Sequence, residues 1–447
     1  MLVYRGKLAS YQIMLLGFGI IILLGAVLLH LPVSYASGQS LGFIDALFTA
    51  TSAVTVTGLI VVDTGSHFSL FGQIVLMALI QVGGLGFMAF GVLFAVALGK
   101  RIRLKQHLMI QNSTNAISTQ SVIKLALAIV IIAFSFEAVA ALVLAFRWYE
   151  ELGMATSLYY GLFHAISAFN NAGFALWSDS LMQYVGDPVV NLIISGLFIF
   201  GGLGFTVILD MYHKRNWRNL ALHSKIAIIT STLLIVIGFF FFLFVELLNP
   251  ATLGNLHWSE QLWSAYFQSA VTRTAGFNTV DIGALMPATQ LFFLFLMFVG
   301  ASSGSTGGGI KTNTLAILVA SMLSIIKGEK EVQLLERRIP RETILRALAV
   351  IMISLGIILF VTLALTLTEE ASHNEVLMIL FEVVSAFGTV GLSMGITDQL
   401  SDIGKLLICI TMFIGRLGPL TIAVALAQKV EKRQKRVKYI EGEVLIG

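Results

Sequence analysis

The chain has 447 residues, of which 57% are apolar and 12% charged, with a mean hydropathy of +0.90. A soluble domain carries about 25% charged residues, so this composition is that of an integral membrane protein. The formal charge of +4 does not signal nucleic acid, because the basic residues cluster beside apolar spans, and the single cysteine, Cys409, excludes an intramolecular disulfide framework and most metal-cluster chemistry.

In chain order, apolar runs on the order of 20 residues predict helices rather than the alternating strands of a β-barrel. The first is 11–31. Arg5 and Lys7 before it, and Ala36-Ser37-Gly38 after it, would suit a signal peptide, but the run is read as a retained first span. A shorter apolar segment, 43–53, ends in the polar stretch Thr55-Val56-Thr57-Gly58 and is followed by a long run over 69–98. The layout recurs as 122–147, 157–169 and 188–212 around Asn170-Asn171-Ala172-Gly173. It recurs again as 225–248, 259–270 and 287–326 around Arg273-Thr274-Ala275-Gly276, where only the last helix is expected to be interrupted. The fourth copy is 345–367, 375–387 and 402–428 around Gly388-Thr389-Val390-Gly391. The four glycines lie 115, 103 and 115 residues apart, which indicates weakly related copies of one unit. Segments of 10–14 apolar residues are too short to span a bilayer and fit re-entrant helices. Pro188, Pro250 and Pro287 fall at or near segment ends, where a missing N–H costs least.

The expected fold is therefore an all-α membrane protein of four helix–pore-loop–helix repeats in pseudo-fourfold arrangement, with eight transmembrane helices and four re-entrant pore helices. The repeats cover 1–105, 106–218, 219–335 and 336–428, and 429–447 forms a cytoplasmic tail. Of the 28 basic residues, 22 fall on one side of such a model, in groups around Arg5, Lys100–Lys105, Lys214–Lys225, Lys327–Arg346 and Lys429–Lys438. The loops 32–42 and 249–260 carry none. The positive-inside rule places both termini in the cytoplasm, so the four glycine loops enter from outside.

Non-helical backbone at membrane depth is tolerated only where it is buried in protein or lines a water-filled cavity. Glycine permits backbone angles that turn successive carbonyls to one side, and four such loops around an axis form a ring of oxygens able to replace a cation's hydration shell. The short helices aim their negative C-terminal ends at the same axis. One such loop alone would read as an ordinary turn; four, all on one side and each behind a re-entrant segment, read as a cation filter.

With these loops, the broken third helix containing Gly300-Ala301-Ser302-Ser303-Gly304-Ser305-Thr306-Gly307-Gly308-Gly309-Ile310-Lys311-Thr312, and Gly415-Arg416-Leu417-Gly418-Pro419-Leu420-Thr421, the chain resembles the Trk/Ktr/HKT superfamily of potassium transporters. It is most similar to the Ktr membrane subunit; the extra N-terminal hairpin of Trk-type subunits is not found here. The resemblance implies potassium as permeant ion, stimulation by sodium, a homodimer in the lipid of a bacterial plasma membrane, and a cytosolic regulatory ring that binds nucleotide, which this chain itself does not. It also implies that Gly304–Gly309 is a mobile loop crossing the conduction path. The alternative reading of Gly304 to Thr312 as a phosphate-binding loop fails because Ile310 separates glycine from lysine and no strand precedes it.

An aspartate follows each filter glycine by five to seven residues: Asp63, Asp179, Asp281 and Asp398. These either focus cations at an outer mouth or cap the next helix. Ionisable residues inside spans are functional candidates by default. Of these, Glu137 is left open, His164 and Asp210 are read as structural, and Glu382 as a brace for the fourth filter. Arg273, a charge inside the third loop, is expected to point away from the axis into an ion pair. Arg416, about 20 Å into the last helix at 1.5 Å per residue, needs a partner, for which Ser303, Ser305 and Thr306 are candidates. The competing functions are an intramembrane enzyme using Glu137, Asp210 or His164, for which no paired catalytic motif exists, and a non-conducting scaffold, which has no need of four filter-like loops.

Overall fold

The computed structural model describes residues 10–36, 41–97, 119–329, 331–369 and 375–419. The basic groups at 5–7, 100–105 and 429–438 lie outside the described residues, as does the end of the last predicted helix. In chain order the main helices are α1 Ser10–His30, α2 Phe43–Thr55, α3 Leu70–Ala97, α4 Thr119–Leu152, α5 Met154–Phe169, α6 Pro188–Leu203 and α7 Phe205–Lys214. These are followed by α8 Leu222–Glu246, α9 Trp258–Val271, α10 Pro287–Phe298, α11 Thr312–Ile326, α12 Arg341–Thr368, α13 Val376–Gly388 and α14 Asp402–Leu417. Local chemistry sets several starts. Asp187 accepts Val189 N–H and Val190 N–H ahead of Pro188 in the first turn of α6, and His257 and Glu260 form a capping box for α9.

Among the described residues, three helices are long and apolar enough to cross a membrane: Ala126–Leu152, Leu222–Glu246 and Arg341–Thr368. The pair α6 and α7, bent by 93° at one break, would make a fourth. Their outward faces are apolar: Phe146 is 85% and Leu367 81% exposed. Water would penalise such a surface, and hydrocarbon does not. The polar residues are turned inward instead, where the helices α2, α5, α9 and α13 are buried. In α2 the buried hydroxyls of Thr49, Thr51 and Thr55 each bond the carbonyl four residues back, so these three donors are paired. Residues far apart in sequence close the assembly: Lys405 Nζ of α14 lies 2.7 Å from Asp45 Oδ1 of α2.

One expectation needs correction. The interruption of the third long helix between Phe298 and Thr312 is not alone. The chain also leaves the helix at Gly86 (φ 80°, ψ 144°), Gly204 (φ 97°, ψ 140°) and Gly418 (φ 86°, ψ 133°), angles open to glycine and strained for other residues. The first two breaks carry one pentapeptide twice, Gly83-Gly84-Leu85-Gly86-Phe87 and Gly201-Gly202-Leu203-Gly204-Phe205, and the third carries Gly415-Arg416-Leu417-Gly418. The first glycine of each motif presses against a carbonyl near the end of a short helix. A Cβ on Gly83 would meet Val54 O, one on Gly201 would meet Phe169 O, and one on Gly415 would meet Phe387 O. Backbone thus packs on backbone, as small residues allow in membranes.

Among the described residues one short hairpin stands beside the helices: β1 Gln333–Leu334 pairs antiparallel with β2 Arg337–Arg338. The turn between them, Leu335-Glu336, has positive φ at both positions (48° and 64°) without glycine or asparagine, so its sequence lacks the usual hairpin signal.

Candidate ion-conduction site

Each short helix ends in the same backbone device. A residue with left-handed φ stands two before a glycine whose φ is also positive: Val56 and Gly58, Asn171 and Gly173, Thr274 and Gly276, Thr389 and Gly391. Alternating signs of φ turn neighbouring carbonyls to one side of the strand. Amides of the loop are tied back to the helix end, with Thr57 N–H to Ser52 O, Ala172 N–H to Ser167 O and Val390 N–H to Ser385 O, each at 2.8 Å. Ser52 Oγ and Ser385 Oγ also accept Gly58 N–H and Gly391 N–H at 3.1 Å. A Ser-Ala pair precedes every loop, at Ser52, Ser167, Ser269 and Ser385. In the third copy one more residue separates it from the glycine, and there Ala275 N–H bonds Val271 O at 3.1 Å. This serine signal was in the sequence and went unread.

The four loops close on one another. A Cβ on Gly58 would lie 2.6 Å from Ala172 O and one on Gly173 2.8 Å from Gly276 Cα. One on Gly276 would lie 2.8 Å from Val390 O, and one on Gly391 would overlap Thr57 O. Each glycine therefore abuts another loop, and the carbonyls of Thr57, Ala172, Ala275 and Val390 stand where the loops meet. The glycines form the floor of a funnel of about 640 Å³. Thr55, Asn170 and Gly388 sit at the helix ends behind this floor.

Asp63, Asp281 and Asp398 line the funnel; so do Ser178 and Ser180, but not Asp179 between them. Asp63 also caps a one-turn helix, accepting Ser66 N–H at 2.7 Å, and Asp281 accepts Gly283 N–H at 2.9 Å. Asp63 thus both caps a helix and faces the funnel, whereas Asp281 faces the funnel from a turn and caps no helix.

Beneath the ring runs the glycine-rich segment between α10 and α11. Ser302 N–H and Thr306 N–H bond Gly202 O and Gly201 O at 2.9 and 3.2 Å, and Phe205 N–H bonds Gly304 O at 3.0 Å. The segment is thereby docked on the break between α6 and α7. Lys311 Nζ donates to Gly307 O at 2.8 Å and Gly308 O at 3.2 Å. Ser305 Oγ bonds Ser302 O at 2.6 Å. Arg416 reaches in from α14 and donates to Thr306 O, to Gly83 O, and to Gly84 O at 3.1 Å. Of its three sequence candidates only Thr306 is engaged, through its carbonyl, and the carbonyls freed by the Gly86 break are partners the sequence did not suggest.

The ion pair expected for Arg273 is not formed among the described residues. Its Nη2 donates to Gly300 O at 3.0 Å and to Ser231 Oγ at 3.5 Å; the side chain does point behind the filter, toward the backbone exposed by the helix break. The other ionisable residues singled out in the sequence are each held by hydrogen bonds or an ion pair. Glu137 accepts from Gln81 at 3.0 and 3.1 Å and from Asn170 Nδ2 at 3.0 Å, steadying the second loop. Glu382 accepts from Ser393 and Thr397 at 2.7 and 2.6 Å, just beyond the fourth. His164 Nε2 accepts Leu176 N–H at 3.2 Å. Asp210 pairs with Lys214 at 2.8 Å and accepts Ala221 N–H, away from the ring.

A backbone cage of this kind, walled by apolar helices, suits passage of a desolvated cation, and comparison with known proteins agrees. A family model described as TrkH, cation transport protein, matches residues 18–436. The chain belongs to the TrkH family of cation transport proteins. The Ktr system potassium uptake protein B of Bacillus subtilis is 47% identical over 436 residues, covering 98% of this chain and 96% of that one. Its counterpart in Vibrio alginolyticus is 44% identical, covering 99% and 96%. The potassium/sodium uptake protein NtpJ of Enterococcus hirae is 38% identical, covering 99% and 98%. The crystal structure of the potassium transporter TrkH from Vibrio parahaemolyticus superposes with a TM-score of 0.74 at 19% identity, covering 96% of this chain and 87% of that one; at that identity the likeness speaks for the fold alone. Membership of the TrkH family makes the chain a helical membrane transporter, not an enzyme.

Proposed function

We propose that this chain is the ion-translocating subunit of a Ktr-type potassium uptake system. It is built as four helix–pore-loop–helix repeats with eight spans and four re-entrant helices, in a bacterial plasma membrane with both termini in the cytoplasm. The observation that carries the reading is the mutual contact of Gly58, Gly173, Gly276 and Gly391 at the floor of the funnel. Carbonyls from four loops there replace the hydration shell of a potassium ion, and the ion moves down its electrochemical gradient. Gly304, Ser305, Thr306, Gly307, Gly308, Gly309, Lys311 and Arg416 form the barrier on the cytoplasmic side. The designation of relatives as parts of a Ktr system supports a partner subunit, which we read as a cytosolic nucleotide-binding ring serving a homodimer of this chain, and the name of the potassium/sodium relative supports a link to sodium, which we read as activation.

Purified protein in potassium-loaded liposomes should take up rubidium tracer, and external potassium should suppress the uptake at concentrations where sodium does not. Absence of uptake by folded protein would defeat the transport reading. Topology has its own test: in a Cys409→Ser background, cysteines placed at Ala36 and Asn255 should react with an impermeant maleimide from outside, whereas those at Arg218 and Glu336 should not. External labelling at Arg218 would invert the arrangement.

A further inference from the structure

The segment beneath the ring touches the filter itself. Of the four left-handed residues, Asn171, Thr274 and Thr389 carry a side-chain oxygen, while Val56 does not, and all four are fully buried. Each of those three oxygens meets residues 306–308. Thr306 Oγ1 donates to Asn171 Oδ1 at 2.7 Å, and Gly308 N–H donates to Thr389 Oγ1 at 3.0 Å. The Cα of Gly307 lies so close to Thr274 that a Cβ there would strike Thr274 Oγ1. Asn171 Nδ2 in turn donates to Thr274 Oγ1 at 3.4 Å, joining two of the three. The segment is held in this seat by basic side chains as donors, because Arg416 engages Thr306 O and Lys311 engages the carbonyls of Gly307 and Gly308.

We propose that the side-chain oxygens of Asn171, Thr274 and Thr389 form an innermost site for a dehydrated monovalent cation, and that residues 306–308 occupy this site in the closed protein, so that loop and cation exclude one another. The inference rests on the transport reading of the glycine ring. Hydroxyl and amide oxygens are hard donors suited to alkali cations. In the closed state each of two of them faces the positive end of an N–H or O–H bond, where a cation would be repelled. Whatever binds the freed oxygens and not the seated loop must shift the equilibrium toward release, by a factor of 1 + [cation]/Kd. The permeant ion is then itself an opener of the barrier, and a cation too large for the site, such as choline, is not.

Hydrogen exchange of the peptide covering 299–311, in the full chain in nanodiscs, tests this in potassium chloride against choline chloride at equal ionic strength. At potassium about ten times its half-saturating level, exchange at Gly308 should rise roughly tenfold. Thr306→Val removes a donor of the loop but keeps all three site oxygens, so it should lower the potassium concentration needed. Thr389→Val removes an oxygen that both competitors use, so exchange should be fast already in choline and respond little to potassium. Exchange in the unsubstituted protein that is unchanged or slowed by potassium overturns the proposal. Rubidium uptake by the same purified protein reconstituted in liposomes separates the two readings: uptake with potassium-independent exchange sinks only the competition, whereas no uptake sinks the transport function.

Discussion

Gly391→Ser is expected to lower potassium-over-sodium discrimination at least about tenfold, the largest selectivity loss of the four filter glycines. Two costs coincide there. The φ of 91° lies outside the region where a side chain is comfortable, a strain on the order of 1–3 kcal/mol. The new Cβ would also overlap Thr57 O and stand 3.1 Å from the Cα atoms of Gly58 and Gly276. None of these neighbours is a flexible side chain that can swing away, so the displacement falls on the carbonyl ring. Gly58, with a backbone oxygen at 2.6 Å, should rank next, and Gly173 and Gly276, whose nearest atoms are at 2.8 Å, should follow. Gly153→Ser is the control: its φ is 75° but no atom lies within 4 Å of the added Cβ, so it carries strain without collision. Competition of sodium and potassium against rubidium uptake reads all five variants. Unaltered ion preference in Gly391→Ser, with protein that elutes as the native species, would make the ring a structural turn cluster.

The elements that place this ring were legible because their signals are local. A run of apolar residues that stops after 11 to 13, then a polar stretch and a glycine, defines α2 and α13 to within two residues at either end. The breaks at Gly86 and Gly204 were not legible for the converse reason. Their pentapeptides sit inside unbroken apolar runs, and hydropathy treats Gly83-Gly84-Leu85-Gly86-Phe87 as one more stretch of helix, since glycine is common in membrane helices. What decides the break is a neighbour: Val54 O and Phe169 O lie where a helix with ordinary side chains would have to stand. The partners of Arg273 and Arg416 were missed by the same route. A charge at membrane depth suggests a carboxylate, but a broken helix exposes carbonyls, and Gly300 O, Gly83 O and Gly84 O became acceptors only because the chain leaves the helix there.

Arg416→Gln is expected to raise rubidium flux about tenfold in protein without a regulatory partner. The arginine sits at the end of α14 and bridges two structures that belong to different parts of the chain. One arm holds Thr306 O of the crossing segment, and the other holds the carbonyls of Gly83 and Gly84 at the break in α3. A guanidinium does this with a planar fork of donors. Burying it costs roughly 2.5–3.5 kcal/mol on insertion scales, which the charge-assisted bonds to three carbonyls offset. Its charge also acts at a distance. For any cation that passes about 10 Å from a unit positive charge at an effective dielectric of about 20, the opposition is roughly 1.7 kcal/mol, and a factor of ten in rate is about 1.4 kcal/mol. Glutamine removes the charge and all but one short arm, so both the electrostatic barrier and the latch on Thr306 are lost. Lysine keeps the charge but cannot span Thr306 and Gly84 together, so Arg416→Lys should fall between glutamine and the native residue. Rubidium efflux from liposomes, normalised to correctly eluting protein, orders the three. Slower flux through folded Arg416→Gln than through the native chain would show that the arginine holds the pore open, and the barrier role would be lost.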